Sequence, residues 1–212
     1  MKIAARCDAA FKKAVLLACY DALAGVGFSR FRKEEVDWPL GGGFHCWVGL
    51  NTGLEPMHLD INPFVGVHVV PVERMWTALR IGRYASKYSR SVATYALHMG
   101  ELTPDEPAFR FIPDAEIGEE AARLARLYAG AGLAYARSIA TYENLLPLLR
   151  ERVEMLGAYP ERVSCCLYLM GRKDEARVFT KDFLQRKRSY FEDFAVPFLR
   201  MLDEEGQSGS AR

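Results

Sequence analysis

Apolar and polar residues alternate along Phe44–Val70, and from about residue 115 the apolar positions recur instead at three- and four-residue steps. The first pattern is that of pleated strands and the second that of amphipathic helices. Phe44, Cys46, Val48 and Leu50 fall on one face of an extended segment, and His45, Trp47, Gly49 and Asn51 fall on the other. Met57, Leu59 and Ile61 share a face in the next segment, with His58, Asp60 and Asn62 opposite. A hairpin about Thr52–Pro56 must join the two apolar sets, because a one-residue slip would mix the faces. That register places His45, Trp47, His58 and Asp60 on a common face. Pro63 cannot donate a ladder bond, so a bulge or a sheet edge is expected there. Val65, Val67 and Val69 continue the strand until Pro71.

Upstream, Phe11, Val15, Ala18, Cys19 and Ala22 predict an amphipathic helix over 4–24, stopped by Gly25 and Gly27. Phe28–Arg32 is a first strand, and Trp38–Gly43 has the composition of a loop. Val72–Leu79 predicts a short helix, residues 82–91 an exposed loop, Ser91–Met99 another strand, and Phe109–Phe111 a minimal extended piece. Asp114 is placed to cap a helix whose stripe is Ile117, Ala121, Leu124, Leu127 and Tyr128. Thr141 would cap a helix over 142–156, and Pro160 opens one over 161–170. Gly171 closes that helix, and Asp174 begins another running to about Arg188, the two making a helical hairpin. A last helix covers about 189–203. The sum is one α+β domain over 1–203. An antiparallel sheet of three to five strands (sheet-rich 1–113) packs against a helical C-terminal half (114–203), and a disordered tail covers 204–212.

Composition narrows the function classes. Half of the 212 residues are hydrophobic, enough for a core without staples. A formal net charge of +1 argues against bulk electrostatic capture of nucleic acid or anionic lipid. Cys7, Cys19, Cys46, Cys165 and Cys166 include no CxxC pair and form no disulfide framework, as expected of free thiols in a reducing cytoplasm. No apolar run reaches the roughly 18 residues of a membrane span, so no membrane partner is expected. No cofactor motif occurs, so none is expected.

Two stretches carry a family resemblance. One is Gly27-Phe28 after the opening helix, followed by strands ending in Pro63-Phe64-Val65-Gly66-Val67. The other is Gly132-Leu133-Ala134-Tyr135, Thr141-Tyr142-Glu143-Asn144-Leu145, and Leu167 through Ala176. Together they resemble, over about residues 5–185, a family of small uncharacterised bacterial α+β domains of unknown function. Some relatives occur beside polymorphic toxins and are suspected immunity proteins. The resemblance implies no catalytic residues. The Gly171–Ala176 piece alone also resembles the turn of a tetratricopeptide helix pair, but no second copy recurs at a fixed period.

Four constellations bear chemistry. His45, His58 and Asp60, with His68 further along, could ligate a divalent metal or serve as an acid–base site; the bland alternative is a sheet face whose histidines bond to neighbours. Cys46 cannot use His45 as its base, because adjacent strand residues point to opposite faces. Trp47, with Trp38 and the tyrosines Tyr84 and Tyr88, could form a protein-binding surface, against the alternative that these rings fill the core. Arg80, Arg83, Lys87 and Arg90, interleaved with Tyr84 and Tyr88, could bind single-stranded nucleic acid by charge and stacking, which the balanced net charge disfavours. Without a catalytic motif, the expectation is a non-catalytic, cytoplasmic interaction protein whose partner is another protein; an immunity-type role is what the resemblance implies. The alternatives are a small metal-dependent or acid–base enzyme using the His45/His58/Asp60 face, and a nucleic-acid binder through residues 80–90.

Overall fold

The computed structural model describes residues 7–33, 35–80, 87–106, 108–113, 115–155 and 157–209. Six strands form one antiparallel sheet: β1 (Ser29–Arg32), β2 (Glu35–Gly41), β3 (Phe44–Leu54), β4 (Leu59–Val69), β5 (Tyr95–His98) and β6 (Phe109–Phe111). The first five lie side by side in chain order, and β6 pairs with β4. The helices are α1 (Ala9–Gly25), α2 (Val70–Leu79), α3 (Ile117–Leu127), α4 (Leu133–Ser138), α5 (Tyr142–Glu151), α6 (Tyr159–Leu169), α7 (Lys173–Arg186) and α8 (Arg188–Gly209). The fold class is α+β, as the two periodicities require. The chain divides into two compact units, Met1–His68 with Ala96–Ala140, and Val69–Tyr95 with Thr141–Arg212.

In the first unit the alternation holds within β3 and β4, except that Met57, expected on the apolar face, is exposed and Leu50 is half-buried. Phe44, Cys46, Val48, Leu59, Ile61, Val65 and Val67 are buried on one face. Glu55 N–H donates to the His58 carbonyl at 2.9 Å, which sets the hairpin turn. Helices α1, α3 and α4 pack on this sheet. Asp8 caps α1 by accepting from Phe11 N–H at 2.8 Å. Between α3 and α4 the glycine-rich stretch Tyr128–Gly132 is a π-helical turn, not a break. It turns the Tyr128 hydroxyl into the sheet, 2.9 Å from the carbonyl oxygens of both Gly49 and Phe64. A Cβ at Gly132 would come 3.3 Å from the Tyr128 ring and 3.4 Å from Val65, so any larger residue would have to push these neighbours aside by a few tenths of an ångström.

The expected loop over Trp38–Gly43 is corrected: β2 runs through Trp38 and Pro39, and only the positive-φ Gly41–Gly43 make the turn. Two features allow it. The Trp38 ring meets Phe28 edge-on at 5.5 Å, which anchors the segment in the core. The β1 ladder ends at the Ser29–Asp37 pair, so Pro39 has a partner on the β3 side only and its missing N–H costs little. This strand and β6 bring the sheet to six.

In the second unit α2 and α5–α8 pack on one another. Ala176, Thr180 and Phe183 recur at four- and three-residue steps on the buried side of α7. Ser164 and Thr180 share a hydrogen bond of 2.8 Å that ties α6 to α7. Phe183, Phe191, Phe194 and Phe198 follow one another with ring centroids 5.0–5.5 Å apart, which ties α7 to α8. Helix α8 continues to Gly209, where a disordered tail from 204 was expected. Glu205 accepts hydrogen bonds from Tyr168 and from Lys173, the latter at 2.7 Å, and so holds the last turns. Asp114, expected as a helix cap, lies outside the described residues.

Candidate functional site

The predicted histidine face does not converge on a metal. His58 Nε2 lies 3.3 Å from Asp60, and Arg110 grips the same carboxylate with Nε at 2.8 Å and Nη2 at 3.0 Å. That guanidinium is the main cause that holds the Asp60 carboxyl below its ordinary range. His45 sits at the other end of the hairpin, where its Nδ1 is 2.9 Å from Asp37 and its ring meets His68 edge-on at 6.4 Å. The reason is the register. The turn falls at Glu55–His58, so His58 and Asp60 lie at the tip while His45 opens β3, about 30 Å of extended chain away at roughly 3.3 Å per residue. Among the described residues no three His, Cys, Asp or Glu side chains gather so as to hold a metal ion. Cys46 lies on the buried face, and its thiol is pushed up to about 12, chiefly by burial.

Of the residues predicted to form an aromatic surface, Trp47 belongs to the first unit and Tyr88 to the second. Trp47 lies half-buried and flat along its own strand: a Cβ on Gly49 would sit 2.3 Å from its Cη2. Tyr88 lies under the Arg74 guanidinium, 5.4 Å from it. Tyr84, like Arg83, lies outside the described residues. Of the basic residues proposed to bind nucleic acid, Arg80 stacks over Trp76 at 5.2 Å.

Two features of the second unit went unread in the sequence. The first is a buried charge cluster between α2 and α6. Glu73 accepts from Arg162 Nε at 2.7 Å, from Arg162 Nη2 at 3.2 Å and from the Thr94 hydroxyl at 2.8 Å. Glu73 and Arg162 are 1% and 5% exposed. Thr94 in turn accepts from Val69 N–H at 2.8 Å. Beside this closed network stands Glu161, whose carboxyl is raised to about 7, first by burial, against the attraction of Arg80 and Arg162. Its Oε2 and the Trp76 indole N–H are buried without a hydrogen-bond partner among the described residues.

The second is a groove between α5, with the segment after it, and α7. Its wider part, about 420 Å³, is lined by Arg150, Asp174, Glu175, Val178, Phe179 and Asp182. A separate, narrower recess of about 160 Å³ is lined by Val153, Glu154, Met155, Phe183, Lys187 and Tyr190. Phe179, which lines the first, stacks at 6.1 Å on Phe183, which lines the second. Val178 is 68% exposed and Met155 55% exposed. Ion pairs reach across it: Arg150 to Glu175 at 3.8 Å, and Glu154 to Arg186 at 2.9 Å and to Lys187 at 3.4 Å. The signal was there to read. Val178 is out of phase with Ala176, Thr180 and Phe183, an apolar residue on the polar face of a charged helix.

No family model matches the chain, and no curated protein or solved structure matches it significantly. Among the described residues no helix is long and apolar enough to cross a membrane.

Proposed function

We propose that this chain is a non-catalytic protein-interaction protein, and that the α5–α7 groove is its binding surface. The observation that carries the reading is Val178, two-thirds exposed and lining, with Phe179, a groove of about 420 Å³. An apolar side chain held there without cover gains by burying against a partner, at roughly 25 cal/mol per Å² removed from water. The dispersal of the acid–base groups supports the non-catalytic half of the reading: the histidines are taken up in pairs with Asp37, Asp60 and one another. The immunity-type form of the role comes from the family resemblance, and predicts a partner that is toxic when expressed without this chain.

The test is a photo-cross-linking residue placed at position 178 and, as a control, at exposed Lys13 on α1. The expected result in native cells is one discrete cross-linked protein from position 178 and none from position 13. Equal, diffuse labelling from both positions would sink the reading.

A further inference from the structure

The charges around the groove say what kind of segment it takes. The wider part is lined by three carboxylates, Asp174, Glu175 and Asp182, against one guanidinium, Arg150. That guanidinium faces Glu175, which Arg172 also holds through two bonds of 2.6 Å. Asp182 meets Arg186 at 3.2 Å, both exposed, a pair of little worth in water. Asp174, Val178 and Asp182 stand four residues apart on α7, so one exposed apolar side chain lies midway between two carboxylates. At 1.5 Å per residue those carboxylates are about 12 Å apart along the helix.

We propose that the groove binds an amphipathic helical segment of another protein, with one bulky apolar side chain as anchor and a lysine or arginine four residues to either side. The spacing of such a segment repeats that of α7: the anchor enters over Val178 and Phe179, and its two cations meet Asp174 and Asp182. The long stems of lysine and arginine cover apolar surface while their heads stay at the acidic rim. An acidic segment would bring like charges together and be turned away. This proposal rests on the interaction reading above and adds the chemistry of the partner to it.

Two synthetic helical peptides test it, identical but for their charged positions. One carries Lys-x3-Leu-x3-Lys and the other Glu-x3-Leu-x3-Glu. Binding is measured by fluorescence anisotropy on the full chain and on its Val178→Asp variant. The lysine peptide is expected to bind several-fold more tightly than the glutamate peptide, and to lose about tenfold on Val178→Asp. The variant adds a negative charge at an exposed site, so capture by charge alone would strengthen, and that result would overturn the proposal. Equal binding of both peptides, or of neither, would overturn the partner chemistry, while cross-linking at position 178 decides the interaction reading separately. A dimer in analytical ultracentrifugation that Val178→Asp dissolves would overturn it too, and give the groove to a second copy of the chain.

Discussion

Gly49 leaves no room for a Cβ where the Trp47 indole now lies. A Cβ there would stand 2.3 Å and 2.5 Å from two ring atoms of Trp47 and 3.3 Å from the Cβ of Phe64. Gly49→Ala therefore has to move the indole off the strand, at a cost of about 1–3 kcal/mol in urea unfolding, and the tryptophan emission should shift with it. Glu161 gives the second prediction at this scale. Its folded-state pKa is raised, so the native state binds a proton more readily than the unfolded chain, and stability falls as pH rises from the ordinary carboxyl value toward about 7. Glu161→Gln should thus stabilise the protein at pH 8, by up to about 3 kcal/mol, and the gain should fade below pH 5. A gain that grows toward low pH would contradict this. The faces of His45, His58 and Asp60 were legible in the alternation, but their separation was not. Alternation gives the side of a strand and is silent on the distance along it, which the turn at Glu55–His58 decided.

Elements in this chain are held by a few buried polar ties laid over a large apolar core. In the tie between α2 and α6 both charges are out of water, so removing one partner alone is costly. Arg162→Met leaves the Glu73 carboxylate buried and unpaired, and should cost about 3–5 kcal/mol by chemical denaturation. The double variant Glu73→Leu/Arg162→Met should recover most of that loss, since no bare charge remains. A double variant as unstable as the single one would mean that packing around Trp76 and Tyr159, over which Arg162 also lies, matters more than charge. Helices were the most legible elements, because a stripe at three- and four-residue spacing, a Thr141 cap and Gly171 are local signals. Strand β2 was the least legible, since Trp38-Pro39-Leu40-Gly41 has loop composition. What makes it a strand is contact with Phe28 and β3, which no local window contains.

The whole molecule is less sequential than its pattern suggests. The sheet-then-helix order predicted the α+β class correctly, yet each compact unit is assembled from two separate stretches of chain. Such interleaving depends on contacts between distant residues, which periodicity cannot supply. The end of α8 is a small part of the assembly. Glu205→Ala deletes the carboxylate that meets Tyr168 and Lys173, and should shift the thermal melt only slightly, because the site is largely exposed. The charge tie has a larger consequence at this scale. Glu73 and Arg162 are 89 positions apart, so on the ribosome the acid emerges long before its base. Every nascent chain passes through a stage in which helix α2 carries a carboxylate that its final surroundings would reject. A message cut short before codon 162 would yield a product that lacks the guanidinium and cannot complete the charge cluster of its second unit.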